Sequence, residues 1–179
     1  IYHAALRPFL EDPALELSEF EKTGVIRWST DLAQIPKKHG VNNVYADLGT
    51  AFANSAVANP RFAAAFVGQL VNEMGADHVM WGSDSVWYGS PQWQIEALRR
   101  LEIPDDMMKK MGWKTQLGAA DGAVKNKIFG QNSAKMYKYK IAAEYETLTR
   151  DKLALMKSEY EREGTERNNA YYGYVPKRA

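Results

Sequence analysis

The residue with the clearest chemical position in this sequence is Asp84, which follows an apolar segment and a glycine in the run Trp81-Gly82-Ser83-Asp84. A carboxylate that points inward at the end of a strand is costly to bury unless it is paired or binds a cation. Metal ions that activate water are held by carboxylate oxygens and histidine nitrogens. The alternative is an aspartate that shapes a turn by bonding to the following backbone.

The sequence offers three histidines as partners for such a carboxylate. His39 stands between two lysines and Gly40, which is typical of an exposed helix end. His78 begins an apolar segment, so we expect it at the far end of its strand and in a structural role. His3 ends an apolar segment, and a catalytic role and a hydrogen-bonded place in the core are both open to it.

Apolar, β-prone segments at residues 1–3, 43–48 and 78–81 predict three short strands, two of them followed by glycine. Segments with helical spacing separate them at about residues 18–38 and 60–74, and a third such segment follows the last strand at about residues 90–101. This alternation predicts an α/β fold with a parallel sheet. Because the carboxyl ends of parallel strands share one edge, His3, residues 47–50 and residues 82–85 are expected to lie together there.

The predicted helices carry recognisable end signals. Asn59-Pro60 supplies a cap and a first-turn proline, and Gly75 ends that helix. Pro36 predicts a break in the first helical segment, and Pro104 ends the third. Further helices are expected at residues 104–111, 124–139 and 141–163, before a tyrosine-rich tail at residues 168–179.

The composition bounds the function. A chain of 179 residues with 45% hydrophobic residues and a net charge of +1 is typical of one globular domain. The charge gives no broad attraction to nucleic acid or to an anionic membrane, and we expect neither as a partner. The absence of cysteine excludes disulfides and thiolate ligands. We expect a soluble protein, with the cytoplasm favoured over the periplasm.

Two motifs carry a resemblance to a known family. Residues 75–85, GADHVMWGSDS, resemble the last strand of the amidohydrolase-2 branch of the amidohydrolase superfamily, and residues 87–95 resemble one subgroup of it. Residues 127–137, KIFGQNSAKMY, are similar to the closing helix of that family. Residues 43–49 resemble its strand seven, and residues 2–4 resemble the end of its strand six. The resemblance runs from residue 1 to about residue 139, which leaves residues 140–179 as a helical extension and tail.

The resemblance implies the C-terminal part, about strands six to eight, of a (β/α)8 TIM barrel. The family holds a divalent metal, here expected to be Zn²⁺, with an H-x-H pair, a further histidine and the aspartate of strand eight. Asp84 matches that aspartate and could also accept a proton from the attacking water. His3 matches the strand-six histidine, which acts as general acid/base or orients the substrate. The sequence contains no H-x-H, so we expect a missing N-terminal barrel segment to supply the other ligands.

The implied activity is that of a metal-dependent hydrolase that acts on a small organic substrate through a metal-activated water. A metal-dependent, non-oxidative decarboxylase of an aromatic acid is one alternative, and a non-catalytic fragment or interaction module is another. Trp87 and Tyr88 could line an aromatic substrate pocket or pack in the core. We expect a homo-oligomer. We also expect that residues 1–179 alone do not fold autonomously, because their parallel strands lack neighbours.

Overall fold

The computed structural model describes residues 1–7, 12–140 and 152–163. Within these ranges, only the backbone of residue 88 is described. The chain divides into two compact units, Ile1–Tyr139 and Lys140–Ala179. None of the helices in the described ranges is long and apolar enough to cross a membrane.

In the described part of the first unit, two short strands pair in a parallel sheet. Strand β1 (Ala46–Asp47) pairs with β2 (Val79–Met80), with Ala46 opposite Val79 and Asp47 opposite Met80. Both lie inside the predicted segments but are shorter than predicted. The parallel α/β arrangement is confirmed for these two strands.

The predicted first strand is wrong as a regular strand. The Ile1 ammonium group donates to the Tyr45 carbonyl at 2.8 Å, and the Asp47 amide donates to the Ile1 carbonyl at 3.0 Å. Ile1 therefore lies beside β1 as a strand end would. The chain then turns through a 3-10 segment, Tyr2–Ala5, because His3 takes a positive φ of 55° and leaves the sheet direction.

The single helix predicted over residues 18–38 is two helices, α1 (Pro13–Thr23) and α2 (Ser29–His39). Gly24 ends α1 in the left-handed conformation, with φ 73°, which a glycine adopts at little cost. The predicted break at Pro36 does not occur there, because α2 continues through Pro36 to His39.

Helix α3 (Gly49–Ala58) follows β1 directly and was not predicted. Helix α4 (Pro60–Glu73) begins as predicted, with the Asn59 side chain accepting from the Phe62 amide at 3.1 Å. The predicted apolar stripe of α4 is buried, but so are residues on its other faces, including Ala63, Ala65 and Gln69. Helix α4 packs against α1, α2 and α3, so it forms the centre of the core rather than one of its walls.

The remaining helices of this unit follow β2. They are α5 (Ser85–Tyr88), α6 (Gln92–Arg100), α7 (Asp105–Met111), α8 (Ala123–Asn126), a π-helical turn (Lys127–Gln131) and α9 (Asn132–Met136). Helix α6 ends at Arg100, before Pro104, and Pro104 directly precedes α7. The turn after α8 completes the edge of β2, because the Trp81 amide donates to the Ile128 carbonyl at 2.9 Å. The Trp81 ring also contacts Phe129, with centroids 5.1 Å apart.

The second unit contains helix α10 (Lys152–Glu163). Its apolar side chains Leu153, Leu155, Met156 and Tyr160 are exposed. The rest of the predicted helix over residues 141–163 and the predicted tail at residues 168–179 lie outside the described residues.

Candidate functional site

The structure brings His3, Thr50 and Asp84 together at the carboxyl ends of the strands. His3 Nδ1 lies 3.3 Å from Asp84 Oδ2, although the two residues are far apart in sequence. The same Asp84 oxygen accepts from the Thr50 amide at 2.7 Å and from the Thr50 hydroxyl at 2.6 Å. The Thr50 amide also donates to His3 Nδ1 at 3.2 Å. These three residues are called the strand-end cluster below.

The side chains of His3 and Asp84 in the strand-end cluster are partly exposed to solvent. About a third of each acidic or basic side chain is accessible, 37% for His3 and 32% for Asp84. Groups in this range can meet a small molecule and still be held by protein contacts. A buried pair would be closed to substrate, and a fully exposed pair would lose its orientation.

Backbone strain is concentrated around this cluster. His3 has φ 55° and Asp84 has φ 47°, both in the left-handed region that non-glycine residues avoid. Such conformations cost about 1–2 kcal/mol per residue and persist where surrounding contacts enforce them. Gly49, with φ 43°, takes the same region at little cost.

Gly49 is also required for space. A Cβ atom on Gly49 would lie 2.6 Å from His3 Nδ1 and 2.9 Å from Asp84 Oδ2. Both distances are shorter than van der Waals contact, so a larger residue would push the imidazole and the carboxylate apart. The backbone between β1 and α3 therefore passes directly beneath the two groups.

A second carboxylate, that of Asp47, lies beside the cluster at the end of β1. Burial raises the pKa of the Asp47 carboxyl above its ordinary value, and the charge of Asp84 raises it further. His3 and a hydrogen bond from the Gly49 backbone act in the opposite direction. Gly82 makes room for this side chain, because a Cβ atom at position 82 would collide with Asp47 Oδ1.

The loop that carries Asp84 is anchored from below by α6. Gln94, which is fully buried, donates from Nε2 to the Ser83 carbonyl at 2.8 Å. Ser83 Oγ lies 3.0 Å from Ser85 Oγ and accepts from the Ser85 amide at 3.3 Å. These contacts hold the residues on both sides of Asp84, so its strained backbone has fixed ends.

The remaining candidates from the sequence are the two other histidines and the aromatic residues that follow Asp84. His39 is exposed at the end of α2, and His78 lies at the opposite end of β2, where its Nδ1 meets the Val44 carbonyl at 2.9 Å. Both placements agree with the sequence prediction. Trp87 is 80% exposed, so of its two predicted places the core is wrong, and a place at a substrate pocket stays a prediction. The side chain of Tyr88 lies outside the described part of the structure.

The donor set fits one part of a metal site. Asp84 Oδ2 is taken by Thr50, and Oδ1 accepts no hydrogen bond from the residues that the structure describes. Asp84 can therefore offer Oδ1 to a cation. Across the described ranges, no group of three or more histidine, aspartate or glutamate side chains is arranged to hold a metal ion. These residues alone therefore do not form a complete site.

Residues 47–50 lie at the predicted edge, but the sequence predicted no role for Gly49 or Thr50. The available signal was a glycine followed by a hydroxyl residue at the carboxyl end of a strand. That signal predicts no role by itself, because the partner of Thr50 is Asp84, 34 residues away in the sequence.

Comparison with known proteins gives one result. A family model described as amidohydrolase matches residues 30–139, well over half of the chain. The match contains Thr50 and Asp84, as well as the segments at residues 75–85 and 127–137. No curated protein and no solved structure matches the chain.

Proposed function

Because this chain belongs to the amidohydrolase family, we propose that it is part of a metal-dependent hydrolase that acts on a small organic substrate of aromatic or cyclic character. The observation that carries the proposal is the strand-end cluster, in which Asp84 and His3 meet at the edge where parallel α/β folds place their sites. Membership of the family supports a metal-dependent hydrolase or decarboxylase. Of these two activities, we propose the hydrolase.

We further propose that β1 and β2 are strands seven and eight of a (β/α)8 barrel, with Ile1 at the end of strand six. The parallel pairing, the helices that follow β1 and β2, and the position of Ile1 beside β1 support this. The remaining strands and the other metal ligands would come from a polypeptide segment outside this chain. The incomplete donor set of the described residues is the reason for that proposal.

In this mechanism Asp84 would be the residue of this chain that holds the metal, because its Oδ1 is not used by Thr50. A bound divalent ion, expected to be Zn²⁺, would lower the pKa of a coordinated water to about 7 and polarise the bond to be cleaved. The Thr50 amide and hydroxyl neutralise part of the charge on Oδ2 and fix the plane of the carboxylate. Asp84 thus presents one oxygen in a defined direction.

His3 is the proton carrier of the proposed site. Its Nδ1 lies 3.2 Å from the Thr50 amide and 3.3 Å from Asp84 Oδ2, so the position of the ring is set by the residue that would bind the metal. From there the imidazole would give a proton to the leaving group or orient the substrate. Trp87 is exposed just beyond Asp84 and could contact an aromatic substrate from the rim.

The test uses the intact natural protein that contains this sequence. Its native mass and Zn²⁺ content are measured before and after dialysis against a chelator, and hydrolysis of a panel of amide, lactone and cyclic imide compounds is followed. We expect a polypeptide larger than the 20.2 kDa of this chain, close to one Zn²⁺ per site, and activity that is lost with the metal and restored by Zn²⁺.

Other outcomes of this test lead to the alternatives. Release of CO₂ from aromatic acids without hydrolysis would replace the hydrolase with a decarboxylase. A native polypeptide of 20.2 kDa that binds no metal and turns over nothing would overturn the enzyme proposal in favour of an interaction module.

A further inference from the structure

We infer that Thr50 is a positioning residue for Asp84, whose task is to occupy one carboxylate oxygen so that the other is presented to the metal. This inference rests on the proposed function and deepens it. It concerns a residue that neither the sequence motifs nor the family match singles out.

The geometry on Oδ2 is unusually specific. Two donors from the same residue reach the same oxygen, the amide at 2.7 Å and the hydroxyl at 2.6 Å. A hydroxyl bound only for structural reasons commonly satisfies a nearby carbonyl of its own helix, as Ser55 does with Ala51 in α3 at 2.7 Å. Thr50 instead uses its hydroxyl on a carboxylate from a distant loop.

The position of Thr50 in its helix adds to this effect. Thr50 is in the first turn of α3, where backbone N–H groups have no partner within the helix and the helix dipole favours an anion. Leu48, the residue that precedes the helix, offers no side-chain cap. Asp84 fills that role from another part of the chain, so the helix end and the carboxylate hold each other in place.

The consequence concerns how Asp84 can bind a cation. With Oδ2 engaged twice, binding through Oδ1 alone keeps both hydrogen bonds, whereas binding through both oxygens would compete with them. Loss of the hydroxyl removes one of the two contacts that fix the carboxylate plane. The amide contact remains in any substitution except proline, so a side-chain variant tests the hydroxyl by itself.

The experiment compares Thr50→Val with Thr50→Ser in the intact protein. Valine keeps the branched shape and removes the hydroxyl, and serine keeps the hydroxyl and removes the methyl group. Thr50→Ala serves as a second hydroxyl-free variant in case the valine protein does not fold. Zn²⁺ affinity is measured by competition with a chromogenic chelator, and the Co²⁺-substituted proteins are compared by their visible absorption spectra.

We expect Thr50→Val and Thr50→Ala to bind Zn²⁺ about 10- to 100-fold more weakly than wild type, the usual effect of losing an outer partner of a ligand. Thr50→Ser is expected to restore the affinity and the Co²⁺ spectrum of wild type. A purely structural role would lower the unfolding midpoint without changing the spectrum.

The matched control is Thr30→Val, a second threonine in the first turn of a helix. Its hydroxyl donates to Gln69 Oε1 at 2.8 Å and accepts from the Ile26 amide at 2.7 Å, within the core between α2 and α4. Thr30→Val should lower the unfolding midpoint and leave Zn²⁺ binding unchanged.

The two proposals fail in different ways. If wild type binds Zn²⁺ and the hydroxyl-free Thr50 variants bind it equally well with the same Co²⁺ spectrum, the role of Thr50 is overturned and the proposed function stands. If wild type binds no metal, both are overturned.

Discussion

The two ends of β2 carry similar residues in different settings. At the amino end, Asp77 forms an ion pair with Lys127 at 3.0 Å and His78 bonds to the Val44 carbonyl. At the carboxyl end, Asp84 and His3 lie 3.3 Å from each other and share the Thr50 amide. Each end therefore has an aspartate and a histidine, and at the carboxyl end Asp47 lies beside that pair.

The difference between the ends lies in their partners and in the backbone. At the amino end, side chains bind backbone carbonyls, as Asn132 does with Ala76 and Val79, both at 2.7 Å. At the carboxyl end, a carboxylate and an imidazole meet each other, and His3 and Asp84 have positive φ. The first pattern satisfies the backbone and stabilises the fold. The second holds a carboxylate and an imidazole together on strained backbone, an arrangement that is common at functional sites and agrees with the proposed role of the strand-end cluster.

The largest expected effect comes from paired aspartate substitutions in the intact protein. Asp84→Asn should abolish metal-dependent turnover and reduce bound Zn²⁺, because it removes the charge that attracts the cation and keeps the shape. Asp77→Asn, the same change at the other end of β2, should leave both unchanged. Circular dichroism checks that both variants fold. Equal activity in the two variants would remove the distinction between the ends.

The next effect is expected from the histidines. His3→Asn should lower turnover by about 100-fold or more, the usual contribution of a general acid or base, while the Zn²⁺ content changes little. His78→Asn should retain turnover. Steady-state kinetics and metal analysis on the same samples are the measurements. A loss of metal in His3→Asn as large as in Asp84→Asn would show that His3 is itself a ligand.

Alanine substitutions at two glycines distinguish the effect of backbone strain from the effect of crowding at the site. Gly49→Ala and Gly40→Ala both place a side chain at positive φ, 43° and 65°, and each should cost about 1–2 kcal/mol of stability. Gly40 has nothing within 4 Å of the added Cβ, whereas the Cβ at position 49 meets His3 and Asp84. Only Gly49→Ala should weaken Zn²⁺ binding. Urea unfolding and chelator competition distinguish the two effects, and weakened binding in Gly40→Ala would contradict the interpretation.

The smallest functional effect is expected at the amino end. Asn132→Ala removes the donor to two backbone carbonyls and should lower the free energy of unfolding by about 1–3 kcal/mol. Turnover per folded molecule should stay at the wild-type value. A specific loss of turnover with normal stability would mean that the amino end also takes part in function.

Several features were determined by the sequence alone, because their physical causes are local. The apolar segments at residues 43–48 and 78–81 contain β1 and β2, and Asn59-Pro60 begins α4 as predicted. A cap bonds within a few residues of itself, and an apolar, β-prone run is recognised from its residue types alone. The family motifs were equally readable, and the match over residues 30–139 confirms the family, whereas the resemblance of residues 2–4 to strand six stays a prediction. The same motifs predicted Asp84 as the principal site residue, and its role as a ligand stays a prediction.

Other features depended on contacts between distant residues. Helix α3 has no capping side chain at Leu48, since the Thr50 amide is bound by Asp84 from 34 residues away. The start of α3 could therefore not be predicted from a local sequence pattern. The division between α1 and α2 has a different cause, because Gly24 ends α1 and is a local signal that the sequence analysis did not use. Only the start of α2 lacks a side-chain cap, and it is tied to α4 through Thr30 and Gln69.

The strand-end cluster shows the same limit most clearly. Residue types identified Asp84 and His3 as candidates, but the strand ends were expected only to share an edge. The hydrogen bonds of Thr50, the strained backbone at His3 and Asp84 and the close passage of Gly49 arise when three separate segments pack at one point. Sequence fixes which groups are available. Packing decides which of them meet. The 3.3 Å between His3 Nδ1 and Asp84 Oδ2, two residues far apart in the chain, is set by the fold as a whole.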